Sequence, residues 1–229
     1  MRNKNFSSAF QYCFRDIGNV LASACGIYAL VCIGIWILDL IFPENVNVNV
    51  NGGGAIAMSY VVTIVITLFV VGIVGVREYL RTLVLHGRSR KTAMLAYFLA
   101  VAAAAGCAMA LFFLIYLGES LVTGLYFDPL MLVALLVALV MMNAMLWGSA
   151  ISLLFWRLPK RWKTVAAVGI PVSVLYLWPT LFSFPWFEPF MNWAFSGLGP
   201  MIVLHTLVLC AAGAIDCLLA RRAAILASK

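Results

Sequence analysis

The sequence predicts an all-α polytopic membrane protein, and three observations carry that prediction. Of 229 residues, 65% are hydrophobic and only 10% are charged, where a soluble domain carries about 25% charged residues. Mean hydropathy is +1.07. The apolar residues also fall into runs of about 20 residues or more, the length a helix needs to cross the roughly 30 Å hydrocarbon core of a bilayer.

Six runs qualify: about 19–42, 55–76, 93–117, 129–156, 164–183 and 200–220. Together they predict a single transmembrane domain over 1–229. Before the first, Phe6, Phe10, Cys13, Phe14 and Ile17 recur at helical spacing, with Ser7, Ser8, Gln11 and Arg15 on the other side. This pattern predicts an in-plane amphipathic helix over 5–17. No A-x-A-like cleavage site follows at the right place, so the first run reads as an uncleaved span rather than a signal peptide. Pro43, Glu44, Asn45 and Gly52-Gly53-Gly54 make the first connection short and polar, and Glu119 to Pro129 makes another. Pro171 and Pro179 fall inside the fifth run, where membrane helices tolerate a kink. Residues 184–199 hold Phe184, Trp186, Phe187, Phe190, Trp193 and Phe195, broken by Pro185 and Pro189. Two readings stand for them: short re-entrant helices in the outer leaflet, or an interfacial aromatic belt.

Charge sets the orientation. The N-terminus, 77–92, 157–163 and the C-terminal tail hold three, five, four and three Lys/Arg, which accounts for all fifteen. The intervening connections hold none, but carry Glu44, Glu119, Asp128 and Glu188. By the positive-inside rule both termini face the cytosol, and the net charge of +7 needs no nucleic acid to explain it. The six cysteines show no CxxC spacing, which disfavours a disulfide framework or zinc site.

The longest basic island is Arg77 to Thr92. Leu80, Leu83 and Val84 share one helical face, and Arg77 and Arg81 lie one turn apart on another, with Glu78 three residues before Arg81. Gly87-Arg88-Ser89-Arg90-Lys91-Thr92 then turns into the third run. A short amphipathic helix over 78–86 with a cationic face is shaped to touch a soluble partner.

Candidate chemistry is sparse. There is no HExxH, no GxSxG and no pair of intramembrane glutamates, and Lys91-Thr92 lacks the upstream glycines of a nucleotide-binding loop. The chain therefore reads as a non-enzyme that binds no cofactor and no metal itself. Asn143 lies near the middle of the fourth run, where it is either helix glue or a substrate contact. Ser59, Thr63 and Thr67 repeat every four residues along the second run and offer it a partner. His205 is a hydrogen-bonded polar group in the sixth run or a proton carrier. Asp216 lies near Arg221 and Arg222, within reach of the interface or of a cation. A membrane-embedded enzyme using His205 or Asp216 is the alternative reading, and a non-transporting scaffold is another. Ala102, Gly106 and Ala110 have small-xxx-small spacing, which suits either internal packing or a subunit interface.

Four stretches together resemble the permease subunit of type 2 ABC exporters, in the compact six-span form of Gram-positive bacteria. They are Gly87 through Thr92, Gly148 through Arg157 with the basic turn Pro159-Lys160-Arg161, the closing Arg221-Arg222, and the broken aromatic segment 184–199. Arg88 and the pair Ala93-Met94 depart from the usual pattern. The resemblance implies a cell-membrane exporter for a hydrophobic or amphipathic substrate, such as an antimicrobial peptide or lipid-like molecule. It implies a separate ATPase subunit that binds ATP and Mg and receives 78–86 as a coupling helix, and a second permease copy or sister permease. The helix over 5–17 would then lie beside that ATPase.

Overall fold

The computed structural model describes residues 2–41, 55–123, 130–159, 161–163, 165 and 187–222. Among them there are helices and no strands: α1 (Arg2–Ile41), α2 (Ala55–Leu85), α3 (Arg90–Thr123), α4 (Leu130–Arg157), the short α5 (Phe187–Ala194) and α6 (Leu198–Arg222). Five of these are long and apolar enough to cross a membrane. The chain is an all-α, multi-pass membrane protein. The expected span 164–183 lies outside the described residues.

Two expected boundaries are absent. The sequence separates an in-plane helix at 5–17 from a span at 19–42, whereas α1 runs through Gly18 without a break. Nothing in that stretch breaks a helix, since one glycine costs only about 1 kcal/mol against alanine. Moreover, Ala9, Cys13, Ile17 and Leu21 form one buried i+4 stripe across the expected boundary. Phe6, Phe10 and Phe14 are half-buried against the same core. Likewise residues 78–85 of the 78–86 segment are the last part of α2, not a separate helix, and His86 begins the turn that follows. At 1.5 Å per residue the 40 residues of α1 and the 31 of α2 measure roughly 60 and 46 Å, well beyond a ~30 Å hydrocarbon core.

Cross-helix hydrogen bonds fix the directions. α1 runs antiparallel to α2: Arg88 donates to Ser8 Oγ (2.9 Å) and Tyr79 to Asp16 Oδ2 (2.7 Å) at one end, while Tyr28 donates to the Ile56 carbonyl (2.6 Å) at the other. At that far end Glu119 of α3 accepts from the amides of Ile56 (3.2 Å) and Ala57 (3.1 Å), the unpaired donors of the first turn of α2. α4 and α6 are parallel, with Asn143 donating to the His205 carbonyl (3.0 Å), Ser149 bonded to Asp216, and Arg157 donating to the carbonyls of Leu218 (3.1 Å) and Leu219 (2.7 Å). The start of α1, the α2–α3 turn and the ends of α4 and α6 therefore gather at one basic end of the bundle.

In lipid, apolar side chains gain little by leaving one apolar medium for another, so close packing must hold helices together. α2 and α4 achieve it with paired glycines. A Cβ on Gly72 would collide with the backbone of Met145 and Ser149, and one on Gly148 with the backbone of Phe69 and Ile73. α3 presents Ala96, Ala100, Ala104 and Ala108 inward, beside the fully buried Tyr97. The small-residue stripe is elsewhere: Ala102 and Gly106 are half-buried, Ala110 is exposed, and open space surrounds Gly106.

Candidate functional site

The sharpest local geometry lies at the α2–α3 turn. Gly87 has φ +75°, a left-handed conformation that favours glycine. The Gly87 amide donates to the Val84 carbonyl (3.0 Å) and the Arg88 amide to the Leu83 carbonyl (2.9 Å). This bond pair is the Schellman pattern, which satisfies carbonyls at a helix end. Two residues on, Ser89 Oγ accepts from the Thr92 amide (3.2 Å) and lies 2.8 Å from Thr92 Oγ1, capping the start of α3. Gly87, Ser89 and Thr92 are thus explained by the turn they build: one helix stops and the next starts within four residues.

What this elbow shows to its surroundings is cationic. Arg77, Glu78, Arg81, Leu85, His86, Ser89 and Lys91 are exposed, and Arg88 and Arg90 half-buried. The expected apolar contact face points inward instead. Leu80 and Leu83 are 3% and 5% exposed within the chain's own core, and Val84 is half-buried. Arg77 lies 5.3 Å from the centre of the Trp156 ring, tying α2 to the end of α4 by a cation–π contact. The Tyr79–Asp16 bond and the edge-on packing of Tyr79 against Tyr12 (6.2 Å) clamp α1 onto the elbow. Arg90 donates to the Arg221 carbonyl (3.1 Å), bringing the end of α6 to the start of α3.

Deeper in the bundle the polar residues are separated. Asn143 meets His205, through its backbone carbonyl and, at 3.5 Å, ring Nδ1. Ser59, Thr63 and Thr67, expected as partners for Asn143, do not reach it. Thr63 and Thr67 donate to carbonyls four residues back, and Ser59 bonds Tyr28 and the Ile56 carbonyl. The wrong partner followed from treating α2 as the neighbour, when α4 turns this face to α6.

Asp216 also differs from the sequence expectation. Rather than reaching the interface or a cation, it is fully buried and bonded to Ser149 of α4. The Ser149 hydroxyl lies 2.8 Å from the Leu146 carbonyl as well. Tyr97 of α3, also fully buried, borders the Ser149–Asp216 pair. His205 and Asp216 are each engaged by a different residue of α4 and do not converge. Among the described residues, no three of His, Cys, Asp and Glu gather as a metal site.

Sequence reasoning missed the Glu119 cap, the Tyr79–Asp16 clamp and the Ser149–Asp216 bond. Each joins residues more than sixty positions apart, and no local pattern signals it. No protein-family model, no curated protein and no solved structure matches the chain.

Proposed function

We propose that this chain is the membrane-spanning permease subunit of an ATP-driven exporter of the type 2 ABC class, in the cell membrane, with both termini in the cytosol. The observation that carries the reading is the elbow: a tightly capped turn at the basic end, with Arg77, Arg81 and Lys91 exposed on it. Its short caps hold α2 and α3 in fixed relation, so a soluble engine pressing on it would move both helices. The chain itself lacks a nucleotide-binding loop, so the ATP and Mg belong to the partner. A second copy or a sister permease completes the pathway, and the apolar outer faces suit a hydrophobic or amphipathic substrate.

The contact face on the ATPase side is the charged one, since Leu80 and Leu83 are already used inside the chain. Purification in mild detergent tests the reading: an ABC ATPase subunit should accompany the chain, and Arg81→Glu should release it. A cysteine at Ser89 reacting only with reagent added outside intact cells would overturn the proposal, because no nucleotide reaches that side.

A further inference from the structure

The start of α3 and the end of α6 leave a crevice of about 400 Å³ at the basic end, within the roughly 300–1,000 Å³ of small-ligand sites. α3 contributes Arg90, Lys91, Met94, Leu95 and Phe98, which lie on one helical face, and α6 contributes Cys217, Ala220 and Arg221. Among the described residues, three cations therefore border a site whose other lining residues are apolar, and none of the lining residues is a carboxylate. The charged and apolar parts are ordered along the helices. Arg90 and Lys91 are the first two residues of α3, and Met94, Leu95 and Phe98 follow one and two turns deeper. Arg221 lies at the matching end of α6, and the Arg90 bond to its carbonyl holds the two rims together.

We propose that this crevice holds one anionic phospholipid from the leaflet at the basic end, with its phosphate among Arg90, Lys91 and Arg221 and one acyl chain against Met94, Leu95 and Phe98. A phosphate group needs the cations, and guanidinium groups suit its oxygens. A free phosphate has no use for the apolar wall directly beneath them. Basic pockets between membrane helices recognise lipid headgroups by this chemistry.

The test is lipid retention by the full chain. Protein reconstituted in nanodiscs of mixed phosphatidylglycerol and phosphatidylcholine would be extracted in mild detergent, washed, and weighed intact by native mass spectrometry. Wild type should keep one phosphatidylglycerol and no phosphatidylcholine. Arg90→Gln, Lys91→Gln and Arg221→Gln should each weaken retention by about fivefold. Leu95→Trp, which fills the apolar wall and keeps every charge, should displace the lipid while inorganic phosphate still binds the cations. Arg161→Gln with Lys163→Gln removes two cations from the same end but outside the crevice, and should leave retention unchanged. Circular dichroism checks that each variant is folded. Equal retention of phosphatidylcholine, full retention by the triple glutamine variant, or equal loss in the Arg161/Lys163 control would overturn the proposal. Unchanged lipid retention in Leu95→Trp would leave an anion site without an acyl wall, which also overturns it.

Discussion

Gly72 of α2 and Gly148 of α4 sit on opposite sides of one crossing, each pressed against the backbone of the other helix. Helix backbones can approach this closely only where neither partner carries a Cβ. The two glycines are therefore a matched pair, and either one alone would leave the other helix held off.

The same substitution should thus have opposite effects at different glycines. Gly72→Ala and Gly148→Ala each place a methyl into backbone and should destabilise by about 1–3 kcal/mol. Gly106→Ala meets open space and should stabilise by up to about 1 kcal/mol through helix propensity. Thermal unfolding in detergent distinguishes the three.

At the elbow, Gly87→Ala forces a Cβ into a left-handed conformation and should cost about 1 kcal/mol. Ser89→Ala removes the cap on Thr92 and should cost about 0.5–2 kcal/mol. Both losses should appear as faster amide exchange confined to the end of α2 and the first turn of α3. Exchange spread evenly over the bundle would contradict this local role.

Charge and apolar changes at the elbow should separate. Arg81→Glu alters an exposed group and should abolish stimulation of a co-purified ATPase with unfolding shifted by about 1 kcal/mol or less. Leu83→Ala empties a buried position and should cost about 2–5 kcal/mol. An assay of ATPase rate beside a melting curve reads both.

Glu119→Ala should leave the amides of Ile56 and Ala57 without their acceptor, at a cost of about 1–3 kcal/mol. Glu119→Gln keeps one acceptor oxygen and should lose less. Hydrogen exchange at Ile56 and Ala57 is the direct measurement.

These contrasts show which parts of the molecule can be read from sequence. Apolar runs located α2, α3, α4 and α6, because the bilayer imposes a length that composition alone reveals. The turn over Gly87 to Thr92 was visible because turn chemistry is local, but the caps that Gly87 and Ser89 supply were read only from the structure. Asp216 was misplaced because it faces Ser149 on α4 rather than running along its own helix toward Arg221 and Arg222. Which face of α6 meets α4 is decided by packing, and α6 is nearly uniformly apolar, so no periodicity marks the contact face. The buried side of the elbow was hidden for a related reason: an amphipathic helix shows that an apolar face exists, not which surface covers it.

α2 is one continuous helix from Ala55 to Leu85, and its backbone contact with α4 at Gly72 is where a rigid helix would pivot. By the rise per residue, Arg81 lies roughly 13 Å to one side of that pivot and Ala57 about 22 Å to the other. A sideways stroke of about 1 Å at Arg81 would swing the Ala57 end of a rigid helix by about 1.7 Å the opposite way. Glu119 holds that end through two amides, so such a swing would pull on α3 at the far mouth of the bundle.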